Sequence, residues 1–231
     1  MMTAARLDRM TGNLNAGRWR GMLFDLDGTL ADTAPDLAAA ANAMRLARGL
    51  DALPLDALRP LASQGARGLL RVAFEKTPED QDYDALRDEF LARYEDALAI
   101  HTRLFDGMGT VLDALEERGL AWGIVTNKAA RFTIPLAAYL GLTDRAGAIV
   151  SGDTTPFSKP HPGPLLHAAE LLDLPPSECV YVGDDHRDIV AGRAAGMDTI
   201  AAAWGYCAHS APTQWEADAV LARPLDLLTL F

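Results

Sequence analysis

A hydrophobic run that ends in two aspartates constrains this chain more than any other feature. Met22-Leu23-Phe24 leads straight into Asp25-Leu26-Asp27-Gly28-Thr29. If the apolar run is a buried strand, both aspartates stand at its C-terminal end. Side chains two apart on a strand point the same way, so Asp25 and Asp27 can reach toward one site. The C-terminal edge of a parallel sheet is also where α/β proteins place their ligands. Gly28 lets the backbone come close to a bound anion with no Cβ in the way. Two carboxylates beside a phosphate require a cation between them, and the hard, oxygen-seeking ion that fits is Mg²⁺. A calcium loop of the EF-hand type is the competing reading. It needs Gly at its sixth position and an acidic ligand, usually Glu, at its twelfth. Counted from Asp25 these are Leu30 and Asp36, preceded by a strand rather than a helix.

Composition narrows the remaining classes. The 231 residues are 49% hydrophobic, enough for one large domain or a domain with an insertion. The net charge of −11 argues against nucleic acid, which calls for basic faces. An acidic protein that binds an anion must concentrate its positive charge locally. Cys179 and Cys207 are far apart, with no partner at metal-ligand spacing, and read as reduced thiols. No run of ~18 apolar residues marks a membrane span. Residues 1–20 lack the apolar core of a secretory signal and read as a flexible leader. A cytoplasmic setting is the simplest expectation, and oligomeric state is not legible.

The pattern along the chain has two styles. From about residue 36 to 101 it is helical throughout, with apolar residues at three- and four-residue spacing in 38–46, 55–61, 68–74 and 83–100. Thr33, Pro35 and Asp36 look like the start of the first of these helices, in a capping-box-like arrangement. After residue 102 strands and helices alternate with short links. Strands are expected at 121–125, 149–150, 179–182 and 199–203, and helices at 108–118, 129–140, 164–172 and 188–195. This predicts an α/β fold, a Rossmann-like doubly wound parallel sheet. The core spans 21–35 and 102–231, and residues 36–101 form a small inserted all-helical cap.

Three further strand ends or loops carry polar residues. Thr126-Asn127-Lys128 follows Ile124-Val125, and a hydroxyl and an amide there can donate to phosphate oxygens. Ser158-Lys159-Pro160-His161-Pro162 holds a lysine in a stiff loop. Gly183-Asp184-Asp185-His186-Arg187-Asp188 crowds three acids around a strand-to-helix turn. Helix capping explains one of those acids but hardly all.

In this order the four stretches resemble the motifs of the haloacid dehalogenase superfamily of phosphatases, over nearly everything from Gly21 onward. The position of the helical insertion is similar to that of the branch with a small helical cap. The resemblance implies Asp25 as nucleophile and Asp27 as general acid and base. It implies Gly28, Thr126, Asn127 and Lys159 at the phosphate, with Lys159 also steadying Asp25. It implies Mg²⁺ held by Asp25, the main-chain carbonyl of Asp27 and Asp184, with Asp188 holding a metal-bound water. Asp185 stands where other members often have a small residue. The dehalogenase members lack an acid at the place of Asp27, so phosphoryl transfer is the implied chemistry.

Which small-molecule phosphate ester is consumed depends on the cap. The layout resembles phosphoglycolate phosphatase. Ser63-Gln64-Gly65-Ala66-Arg67, Leu104-Phe105-Asp106-Gly107-Met108 and Trp215-Glu216-Ala217-Asp218 are similar to N-acetylmuramic acid 6-phosphate phosphatases. Both substrates pair a carboxylate with a phosphate, which makes Arg67 the expected carboxylate reader in the cap. His101, Arg131 and His161 lie near expected site loops. A phosphomutase of the β-phosphoglucomutase kind shares these motifs. A non-catalytic phosphate-binding module would have lost one of them.

Overall fold

The computed structural model describes residues 16–207 and 210–231. Six strands form one parallel sheet: β1 (Gly21–Phe24), β4 (Ala121–Val125), β5 (Ala148–Val150), β6 (Cys179–Gly183), β7 (Asp198–Ala202) and β8 (Ala219–Leu221), in the order β5-β4-β1-β6-β7-β8. Every neighbouring pair is parallel. The chain winds outward from β1 to β4 and β5, then returns to lay β6, β7 and β8 on the other side. The strand order therefore reverses beside β1, the kind of place where such sheets bind ligands.

The alternation of side chains along these strands builds a core on each face. Met22 and Phe24, Trp122 and Ile124, and Val180 and Val182 point to one face. There they meet α5 (Met108–Glu117) and α6 (Ala130–Tyr139) through Val111, Leu112, Leu115 and Leu136. Leu23, Val125, Cys179 and Tyr181 point to the other. They meet α7 (Gly163–Leu171) and α8 (His186–Ala194) through Leu165, Ala168 and Ala191.

A two-stranded antiparallel flap, β2 (Ala31–Asp32) with β3 (Arg103–Leu104), follows β1, and four helices lie between its two strands. The helices are α1 (Ala34–Ala47), α2 (Leu55–Leu58), α3 (Gly65–Phe74) and α4 (Tyr83–Asp96). They enclose a separate apolar cluster of Leu37, Met44, Leu58, Leu69, Leu70 and Phe90, to which Phe132 and Tyr206 of the sheet domain also contribute. No described helix is long and apolar enough to cross a membrane.

Several local expectations need correction. Thr33 makes no side-chain cap on α1. Its hydroxyl donates to Asp27 instead, and Asp36 accepts from the backbone of His101 and Thr102. These two side chains tie the cap's first helix to its neighbours rather than closing a capping box. The helix expected over 55–61 splits into α2 and a 3₁₀ segment, Arg59–Gln64, which contains Pro60. The last cap helix stops at Asp96, short of residue 100. The flap and β8 have too few residues to show a period.

The leader expectation divides. Residues 1–15 lie outside the described residues. Trp19 is 6% exposed and packs in the sheet's core, with its indole N–H donating to Asp198 at 2.7 Å and Arg18 pairing with the same carboxylate. The chain is thus anchored before β1 begins. Trp19→Ala is expected to cost about 3–5 kcal/mol in urea unfolding, the usual loss for a buried aromatic. A flexible leader would give no change.

Candidate active site

Four chain segments meet at the C-terminal edge of the sheet. β1 delivers Asp25, β4 delivers Thr126, and β6 delivers Asp184, with Asp188 one turn into α8. Carboxylate oxygens of Asp25, Asp184 and Asp188 lie within 4.8 Å of one another, and all three residues are buried. Two glycines make the crowding possible. Gly28 has φ +87°, and a Cβ there would fall 2.2 Å from Asp184 Oδ2. A Cβ on Gly183 would fall 2.3 Å from Asp188 Cγ. Gly28 thus makes room for a carboxylate, in addition to any anion.

Lys159 sits in the middle of this cluster, 4% exposed. Its ammonium is 2.9 Å from Asp25 Oδ1 and 2.8 Å from Asp188 Oδ1. It also donates to the Val125 carbonyl and to the Tyr181 hydroxyl. Asn127 holds the lysine's backbone at both ends, its amide N–H₂ donating to Lys159 O and its Oδ1 accepting from Lys159 N, each at 2.9 Å. The Asn127 side chain expected on the phosphate is therefore engaged in positioning Lys159. Thr126 is buried and lines the cavity, its hydroxyl oxygen accepting from Lys128 N.

Electrostatically the cluster is short of cations. Burial pushes the Asp25 carboxyl up to about 7, against the pull of Lys159 and with the help of Asp188 and Asp27. Burial and the charges of Asp25 and Asp188 raise Asp184 well above the usual carboxylate range. Lys159 is raised in turn, because Asp188 and Asp25 outweigh its desolvation. Three acids face one ammonium, so two negative charges go unmatched whenever all three are ionised, and burial together with this mutual repulsion drives Asp25 and Asp184 to hold their protons. A hard divalent cation matches that deficit and this all-oxygen donor set. Asp25, Asp184 and Asp188 are the side chains that would hold it.

Asp27 faces elsewhere. Its Oδ1 accepts from the Thr33 hydroxyl at 2.5 Å and from Lys128 Nζ at 3.0 Å. Its side chain is outside the carboxylate triad, consistent with a main-chain role at the metal. The Lys128 side chain is 7% exposed, and its ammonium lies 4.7 Å from the Tyr94 ring centroid. Sequence reasoning passed over Lys128, whose only signal was its place directly after Thr126-Asn127. It also passed over Tyr181, a tyrosine in a buried strand whose hydroxyl must find a partner.

Asp185 caps α8, accepting from Arg187 N, while Asp188 reaches back to Asp185 N. Burial disfavours the Asp185 carboxylate, but the Arg187 guanidinium holds it below its ordinary range. Arg187 also donates from Nη2 to the Ser63 carbonyl of the cap at 2.9 Å. Ser63 in turn sends its hydroxyl to Asp184 Oδ2 at 3.3 Å.

Between cap and sheet edge lies a cavity of ≈ 290 Å³. Asp25, Thr126 and Lys159 line one end. Leu37, Phe90, Leu91 and Phe132 form an apolar wall. Arg67 is exposed and does not line it. Successive helix residues turn by about 100°, so Ala66 faces the cavity and Arg67 faces away, where it comes under the charge of Glu79. The arginines on the cavity are Arg131 and Arg187. His101 is exposed, and His161 stacks on exposed Phe157.

Known proteins are similar to this chain in sequence and fold. The model of the haloacid dehalogenase-like hydrolases matches residues 22–202. A phosphoglycolate phosphatase of Xanthomonas campestris pv. campestris strain 8004 is 46% identical over 90% of this chain and 94% of its own length. An N-acetylmuramic acid 6-phosphate phosphatase of Pseudomonas putida is 44% identical over 91% and 95%. The crystal structure of a predicted phosphoglycolate phosphatase from Haemophilus somnus 129PT superposes with a TM-score of 0.82 at 26% identity, over 92% of this chain and 98% of that one. With its two aspartates after β1 and its buried lysine paired with the first of them, the chain belongs to the haloacid dehalogenase-like hydrolase family, among its phosphatases.

Proposed function

We propose that the protein is a Mg²⁺-dependent phosphomonoesterase that passes the phosphoryl group of a carboxylated ester first to Asp25 and then to water. The observation that carries this reading is that Asp25, Lys159 and Asp188 line one cavity, with Asp184 completing an acid triad behind them. Bound Mg²⁺ would supply charge neutralisation between the phosphate dianion and the carboxylates. Lys159 orients Asp25, and its ammonium offsets the repulsion that a carboxylate nucleophile meets at an anionic phosphate. Thr126 lies where its hydroxyl can donate to a phosphoryl oxygen. Asp27 gives a proton to the leaving alkoxide, and later takes one from the water that cleaves the aspartyl-phosphate. Thr33 and Lys128 fix the position of its carboxylate between those two tasks.

The wall of Leu37, Phe90, Leu91 and Phe132 points to the larger of the two substrates carried by the relatives' names. 2-Phosphoglycolate offers no apolar surface to such a wall. The acetamido and lactyl methyl groups of N-acetylmuramic acid 6-phosphate do. Its carboxylate stands across a sugar ring from the phosphate, and we assign its recognition to Arg131 or Arg187, the arginines on the cavity. A panel of phosphate esters read by phosphate release tests this. Turnover of N-acetylmuramic acid 6-phosphate above 2-phosphoglycolate is expected, and the reverse order overturns the choice. A phosphomutase would release little free phosphate from either.

Two further outcomes follow from the same site. Asp25→Asn is expected to lower kcat by about a thousandfold or more while the protein remains folded, because the covalent step is lost. Activity within about tenfold of wild type would remove Asp25 from the role of nucleophile. The second concerns metal and pH. Folded Asp25 and Asp184 bind protons more tightly than they do unfolded, so between about pH 4 and pH 7 the folded state carries more protons. Stability of the metal-free protein therefore falls as pH rises through that window. Mg²⁺ should restore it, with a larger increase in melting temperature at pH 7.5 than at pH 5. A metal effect independent of pH would contradict binding at these acids.

A further inference from the structure

Among the described residues, two buried side-chain polar atoms have no hydrogen-bond partner: the Tyr94 hydroxyl and Gln64 Nε2. Leaving such a group unsatisfied is costly, and folded proteins tolerate few of them. Both residues line the same cavity. They reach it from separate parts of the cap. Tyr94 is in the last turn of α4 and is 1% exposed. Gln64 ends the 3₁₀ segment that leads into α3. The phosphate end already has Asp25, Thr126 and Lys159. The two orphans therefore belong to the space left for the alcohol half of the ester.

Their chemistry limits what that half can be. An amide nitrogen only donates. The Lys128 ammonium beside the Tyr94 ring can only donate, so the phenol's own proton is the group left to be given to an oxygen. Two donors on an otherwise apolar wall ask for oxygen acceptors on the leaving group, such as carboxylate, amide carbonyl or sugar hydroxyl. We propose that Tyr94 and Gln64 are specificity-determining residues whose buried donors are satisfied only by acceptor oxygens of the substrate's alcohol moiety. The proposal rests on the phosphatase reading and adds a basis for choosing among esters.

The test uses Tyr94→Phe and Gln64→Leu, which remove the polar atom and keep most of the volume. For each, kcat/KM is measured on N-acetylmuramic acid 6-phosphate and on phenyl phosphate, whose leaving group carries no acceptor beyond the ester oxygen. The ratio of the two constants is expected to drop about tenfold for each variant, the scale of one lost hydrogen bond that leaves its partner unpaired. The melting temperature of the ligand-free variants should equal or exceed that of wild type, because an unsatisfied buried group has been removed. Equal losses on both esters, or no loss on either, would overturn the proposal, as would a clear fall in melting temperature. If wild type hydrolyses neither N-acetylmuramic acid 6-phosphate nor 2-phosphoglycolate, the substrate reading fails by itself. The same ratio is then taken on the best sugar phosphate against phenyl phosphate, with the same two outcomes.

Discussion

The ammonium of Lys159 is the contact on which the site depends. It is nearly out of reach of solvent, and four oxygens surround it, from two strand ends, the middle of β6 and one helix. A desolvated lysine is costly unless it is paired and hydrogen-bonded. Here the pairing is with two acids that would otherwise repel each other and Asp184. Removing one partner of a buried pair typically costs about 3–5 kcal/mol, so the lysine and the acids stabilise one another's placement. Asn127 fixes the lysine's backbone through both ends of its amide, and that amide follows directly after Thr126 at the end of β4. The order of the central strands, β4-β1-β6, is thus also the order in which Thr126, Asp25 and Asp184 are presented.

Much of this was legible because buried parallel strands announce themselves as short apolar runs. Polar residues at the ends of such runs have few reasons to be there except chemistry. Asp25, Thr126 and Asp184 all follow that rule. Cap helices were legible from their period, and the short elements were not: β2, β3 and β8 are two or three residues long. Trp19 shows another limit. A lone tryptophan among polar residues carries no periodicity, and only tertiary packing against the sheet reveals it as core.

Arg67 and Asp185 were misplaced or left open for a different reason. Their roles depend on orientation within a helix terminus, where one residue of shift rotates a side chain by about 100°. Arg67 lies one residue beyond Ala66 and leaves the cavity. Asp185 lies one residue beyond Asp184 and becomes a helix cap, so the three acids of that turn divide between structure and chemistry. Sequence spacing alone cannot make that division, because all three are carboxylates within one turn.

The cap is coupled to the chemistry by polar contacts as well as by packing. The Tyr206 hydroxyl accepts from Thr33 N and Ala34 N at the start of α1, and Tyr206 N donates to Asp184. Ser63 reaches Asp184, Arg187 reaches Ser63, and Arg59 pairs with Asp32 at 2.7 Å. The same few residues therefore hold Asp184 and the base of the cap. Asp25 is 8% exposed beneath that cap, and exclusion of water strengthens each charge contact within the site. The polar groups that the cap turns toward the cavity stand in the same shielded space as Lys159 and the acids, so discrimination among esters can act on the alcohol half, with no need for the phosphate end to distinguish one ester from another.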